Sequence, residues 1–208
     1  MDRNETLSQG ILCASDFWDP QYTWYPENGP PDFTPCFHKT VLVWVPCVQL
    51  WVTSLVEVNR AKASQAGPIP WSLLNILKTL LLVMVMATSA GQLVIACLEY
   101  HTAASILAPL LKLFTFGLSL MLMLQFKRKG VRTSSVQWFF WLVMAVCQGF
   151  TFGSVINNPF NLGLSPSITN DYLILVEYVG IFSLFILNCF VDTQPEYKDP
   201  KGKSQYPY

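Results

Sequence analysis

The side chains able to do chemistry in this 208-residue chain are few and scattered. There are six cysteines, two histidines (His38 and His101), and thirteen acidic residues against thirteen basic ones. No G-x-x-x-x-G-K-[ST] phosphate loop and no H-E-x-x-H metal motif occurs. Neither histidine has the neighbouring ligand set that a zinc site needs. The chain therefore reads as no enzyme, with no catalytic residue, cofactor or metal site of its own. Two ionisable residues stand out by their setting. Lys112 and Glu177 each interrupt an apolar run a few residues from its end. Charges inside a membrane segment are expensive, so they pair, turn into the bundle, or reach for the headgroups. The expectation is an ion pair between Lys112 and Glu177. The competing reading is that Lys112 snorkels to the headgroup layer. Glu57 and Lys78 form a weaker pair of the same kind.

The elements that must position these residues follow from composition. Charged residues make up only 12% of the chain and hydrophobic ones 52%. Soluble domains carry about a quarter charged residues, so half that value points to a membrane protein. A formal net charge of zero argues against a nucleic-acid partner. Five apolar runs are long enough to cross the ~30 Å hydrocarbon layer as helices, at roughly 40–58, 71–98, 106–126, 136–156 and 172–190. Pro46 falls in the first and is expected to kink it or be accommodated by neighbours. The predicted fold class is an all-α five-transmembrane-helix bundle. It has a separate segment at 1–39 and a polar tail at 191–208. Residues 157–170 read as a loop.

Lys and Arg flank alternate ends of these runs. Arg60 and Lys62 follow the first run, Lys127, Arg128, Lys129 and Arg132 follow the third, and Lys198, Lys201 and Lys203 lie in the tail. The connections after the second and fourth runs carry none. Basic residues mark the cytoplasmic side, so the N-terminus is expected outside and the C-terminus in the cytoplasm. The start, Met1-Asp2-Arg3-Asn4-Glu5-Thr6, has mixed charge and no apolar core after it, so no cleavable signal peptide is expected. Residues 1–39 are acidic, aromatic and proline-rich, which excludes a long helix and predicts a compact cap on the headgroup layer, with a floppy tail as the alternative.

That orientation gives several residues a role. Cys13 and Cys36 fall outside, where pairing is expected, with two free thiols as the alternative. Asn4-Glu5-Thr6 is a glycosylation sequon on the same side. Gly149-x-x-x-Gly153, and Ala87 with Gly91, offer small-residue faces for helix packing within the bundle, with a docking face for another protein domain as the sharper alternative. Lys127, Arg128, Lys129 and Arg132 serve as topology determinants, with contact to anionic lipid headgroups as the sharper reading.

The stretch Asp32-Phe33-Thr34-Pro35-Cys36-Phe37, followed by Thr40-Val41-Leu42-Val43-Trp44-Val45-Pro46-Cys47 and Leu50-Trp51, resembles the multidrug resistance-associated protein family. This is the long branch of ABC transporter subfamily C, and the likeness is to the start of its extra N-terminal transmembrane domain. Leu107-Ala108-Pro109 and Lys127-Arg128-Lys129-Gly130-Val131 extend it moderately. The resemblance implies an accessory domain of an exporter of organic anions and conjugates. In that family ATP and Mg are used by a downstream core absent from these residues. The implied roles are trafficking, membrane retention or partner docking, and in the related sulfonylurea receptors the domain contacts a potassium channel. The family has cysteines at the places of Cys13 and Cys36; its usual sequons lie nearer the tryptophans than Asn4 does. A stand-alone membrane adaptor that binds another membrane protein is the alternative function. A channel or carrier ranks below both, since no internal repeat appears. The expected partners are the lipid bilayer and a transport core. The expected location is the plasma membrane, with vacuolar or lysosomal membranes as the alternative.

Overall fold

In lipid every backbone N–H and C=O must find its partner within the protein, so apolar runs of this length fold as helices. The computed structural model describes residues 13, 17–20, 23, 32–63, 72–99, 102–129, 135–157 and 166–190. Among them the helices are α1 (Pro35–Lys39), α2 (Val41–Ala63), α3 (Leu73–Glu99), α4 (Ala103–Arg128), α5 (Ser135–Asn157) and α6 (Pro166–Asn188). Five of these helices are long and apolar enough to cross a bilayer, and the chain is an all-α multi-pass membrane protein.

Local chemistry sets the helix ends. The Thr34 hydroxyl accepts from the Phe37 N–H at 3.3 Å, and Pro35 occupies the first helical turn, where its missing N–H does no harm. Thr40 breaks α1 from α2: its backbone leaves the helical region, yet its carbonyl accepts from the Val43 and Trp44 N–H groups at 3.1 and 2.8 Å. Lys127 and Arg128 lie in the last turn of α4, where cations complement the helix dipole.

The helices run past the apolar layer that the sequence marks. α2 continues to Ala63, so Arg60 and Lys62 ride its last turns rather than a connector. α6 starts at Pro166, six residues before the expected 172, and takes Ser167, Thr169, Asn170 and Asp171 into its opening turns. Hydropathy sees only the part of a helix that lies in hydrocarbon; polar turns beyond it look like loop. Pro46 and Pro109 are both buried inside continuous helices.

The five long helices close a ring in the order α2, α4, α3, α6, α5, with α5 returning to α2. Only the neighbours α2 and α4 run in the same direction. The main core packs the ring with Leu50 from α2, Leu82 and Val85 from α3, Phe116 and Leu122 from α4, Phe140, Trp141 and Met144 from α5, and Ile181 and Leu184 from α6, and Val43, Cys47 and Ala108 form a smaller cluster between α2 and α4. The outer faces are also apolar. On α2 alone, Trp44, Val45, Val48, Val52, Leu55 and Val56 are exposed. Such a surface suits lipid rather than water.

Candidate functional site

On α4 the positions Ser105, Ala108, Lys112, Thr115 and Ser119 recur every three or four residues, so one face carries them all, and all five are buried. On α3 the same spacing aligns Ser89, Gln92 and Ala96 inward. On α6 it puts Glu177 one turn from Ile181. Where these three faces meet, the ring holds a polar cluster.

Lys112 Nζ donates to Glu177 Oε2 and to Gln92 Oε1, each at 2.8 Å. The Gln92 amide in turn donates to Glu177 Oε2, and the Ser89 hydroxyl donates to Glu177 Oε1 at 2.8 Å. The two charged side chains are 6% and 2% exposed, so Lys112 turns into the bundle and does not reach for the headgroups. Both carboxylate oxygens are occupied, which is the condition under which a buried ion pair is tolerated. Lys112 lies nine residues beyond the start of α4 and Glu177 eleven beyond the start of α6, about 14 and 17 Å along each axis. The early start of α6 therefore sets Glu177 well inside its helix. Glu57 and Lys78 are also buried, at 2% and 7% exposure, and Lys78 Nζ lies 3.5 Å from the Phe190 carbonyl oxygen.

A second cluster caps the end of the ring where α2 begins. Cys13 and Cys36 are joined by a disulfide and pack on Ala104 of α4. Phe17, Trp18, Phe33 and Phe37 stack edge and face over Phe150 of α5. The Thr34 hydroxyl donates to the Phe17 carbonyl at 2.7 Å. His38 is buried, with Nε2 3.0 Å from Asp32 Oδ1 and Nδ1 3.2 Å from Thr151 Oγ1 on α5. Lys39 Nζ donates to Ser105 Oγ on α4 at 2.9 Å. The cap is thereby fastened to α4 and α5 by polar contacts, and the disulfide ties Cys13 to α1 within it.

The small residues behave unequally. A Cβ added at Gly149 would stand 3.4 Å from the Tyr178 hydroxyl, an ordinary contact, and one at Gly91 would stand 3.1 Å from Leu173. At Gly153 it would meet nothing within 4 Å, and Ala87 is exposed. Neither residue therefore serves packing within the ring, which corrects the expectation for those two. The closest approach is instead at Gly180, where a Cβ would fall 2.5 Å from Val85 and 2.7 Å from Met84. Lys127 is half-buried at the end of α4 and Arg128 and Lys129 are exposed. Arg132 and the sequon residue Asn4 lie outside the described residues.

Among the described residues no group of three or more His, Cys, Asp or Glu side chains could hold a metal ion. The arrangement binds helices to one another and leaves a cavity between them. Ser89, Gln92, Gly180 and Gln148 are the residues that sequence reasoning passed over. For the first two a signal existed, since polar side chains three apart in an apolar run share a helix face.

Comparison with known proteins places this architecture. The family model for the ABC transporter TMD0 domain matches residues 12–187. The chain is similar to ATP-binding cassette sub-family C member 3 of Rattus norvegicus, at 32% identity over 190 residues covering 88% of the chain and 12% of that protein. It is 29% identical to the Homo sapiens member 3 over 212 residues, covering 94% of the chain and 13% of the relative. Against the Homo sapiens member 2 it is 24% identical over 210 residues, with the same coverage of 94% and 13%. The chain thus spans about an eighth of the length of the curated relatives it matches.

Proposed function

The chain belongs to the ABC transporter TMD0 domain family, and on that premise we propose that it is the N-terminal accessory transmembrane domain of a multidrug resistance-associated exporter, docking on the transport core and holding it in the membrane. One observation carries this reading: the family match begins beside Cys13 and ends one residue before the end of α6, so it takes in the disulfide, the cap and the whole ring. Efflux of organic anions and conjugates, with ATP and Mg, would belong to the core and not to this domain. The segment before α1 would face outside and the tail after α6 the cytoplasm, as the placement of Lys and Arg favours. The glycosylation sequon at Asn4 would then lie outside, and Lys127, Arg128, Lys129 and Arg132 would hold the cytoplasmic side. The proposed residence is the plasma membrane.

The test is complementation. A sub-family C member 3 core lacking the region matched here is expressed alone or with this chain, and surface fraction, co-purification and ATP-driven export from cells are measured. The expected result is co-purification and a restored surface fraction, with no export by this chain alone. A core that reaches the surface equally without the chain, and does not co-purify with it, overturns the proposal.

A further inference from the structure

Inside the ring, at the disulfide end, lies a cavity of about 270 Å³ with residues from all six helices in its wall. Lys112 and Gln92 of the polar cluster form part of it. The wall is chemically lopsided. It includes Lys39, Lys112 and His38, and no Asp or Glu among the described residues that line it. His38 has its carboxylate partner, Asp32, away from the lining set.

An ammonium has three N–H groups, and Lys112 directs two of them, to Gln92 and Glu177. Gln148, 5% exposed on α5, lines the same cavity, and its Nε2 has no hydrogen-bond partner. A buried donor without an acceptor is unfavourable, so a group that arrives with only acceptors gains twice. Ionised carboxylates and phosphates are such groups, and their bonds to charged donors are the strong ones. The rest of the wall is apolar: Val43, Ala108 and Ile174 line it as well. Pockets for whole drug-sized ligands run from ~300 to 1,000 Å³, so this one suits a headgroup and its first carbons.

We infer that the cavity is a binding site for the anionic head of a single-chain amphiphile, a carboxylate or a phosphate monoester. The head sits between Lys112 and Gln148, and its first methylenes lie against Val43, Ala108 and Ile174. The site is independent of the docking role proposed above, because it is lined by this chain's own helices.

The chain in phosphatidylcholine nanodiscs is photolabelled with diazirine-bearing palmitate and the labelled peptides are mapped by mass spectrometry. Label is expected on cavity-wall residues. Palmitate or lysophosphatidic acid should compete about tenfold better than hexadecanol, because only they carry a charged acceptor. Gln148→Glu should lower labelling about tenfold by like-charge repulsion, whereas Gln148→Lys should keep it or raise it. Opposite outcomes from two ions at one position separate recognition from misfolding. Equal competition by hexadecanol, label only on outward faces, or equal loss in both variants overturns the assignment. Displacement by inorganic phosphate as effective as by palmitate also overturns it, since the site would then take a free small anion.

Discussion

The two ends of this bundle are held together by different physics. Toward α1 the contacts are a disulfide, an ion pair, and hydrogen bonds from Lys39, His38, Ser89 and Gln92. Toward Lys129 the ring is filled mainly by Leu122, Phe126, Phe140, Trp141, Met144 and Leu184, with the buried Glu57 and Lys78 and a Gln137–Ser119 hydrogen bond as its polar members. In water the second kind of contact would dominate. In lipid it gains little over side chain against acyl chain, so it acts through fit and dispersion. The polar end has no substitute in lipid, since a stranded ammonium or carboxylate finds nothing there. The comparison teaches that the polar end specifies which helices meet, while the aromatic end sets how closely they pack.

The sharpest way to break this comparison is to strand one member of the pair. Glu177→Leu leaves Lys112 buried with only Gln92, and should cost about 3–5 kcal/mol, the range for half-removed buried pairs. Lys112→Met should cost a similar amount by leaving the carboxylate. The charge swap, Lys112→Glu with Glu177→Lys, should recover more than half of either loss, and the doubly apolar variant should sit within about 1–2 kcal/mol of the parent. Thermal unfolding in detergent reads all four. If Glu177→Leu melts with the parent, the polar end does not specify the ring.

Next in size is the bridge. Cys13 and Cys36 are 23 residues apart in sequence, and closing a loop of that length stabilises by about 3 kcal/mol in the chain-entropy model. The effect should be local. Cys13→Ser is expected to expose the cap to protease and to quicken hydrogen exchange at residues 32–39 while α2 to α6 keep their helicity. Equal protection of the cap in parent and variant would show that the aromatic stack over Phe150 suffices.

At the packed interface of α3 and α6 the lever is Gly180. Gly180→Ala pushes a methyl into Val85 and Met84 and should cost about 1–3 kcal/mol by overpacking. Gly153→Ala, which meets nothing within 4 Å, should be neutral or slightly stabilising through helix propensity. Reversal of that order in unfolding midpoints would mean the helices meet on other faces.

The fold was legible because lipid leaves one solution for an apolar run of about 20 residues. Which side of each helix faces inward was far less so. Every face of α2 is apolar, so periodicity carries little information, and Ala87 looks as fit for an interface as Gly180 until the neighbours are known. Polar side chains carry the missing information. Lys112 and Glu177 mark inward faces because a charge has nowhere else to go. Ser89 and Gln92 mark the face that meets them, but only once α3 is known to pack between α4 and α6. Gln148 lies near the middle of α5, where a polar side chain also turns inward, but no charged residue on that helix marks which neighbours it meets. Helix ends were misjudged where polar turns, as at Pro166 to Asp171, extend beyond the apolar layer.

The smallest expected effect sits on the surface that touches neither end. Ala87→Leu adds three carbons to an exposed position of α3 and should change stability by less than about 0.5 kcal/mol. The same change at Ala108, 6% exposed and in the cavity wall, adds those carbons where Lys112 and Gln148 face the void. It should cost more than the Ala87 variant, since strain and lost room for the polar groups outweigh the filled volume. Measured in one bilayer mimic, the pair isolates position from chemistry. An Ala87 variant that destabilises as much as the Ala108 one would mean that the outer face of α3 is covered by protein and not by lipid, and the division between a specifying interior and an indifferent exterior would have to be redrawn.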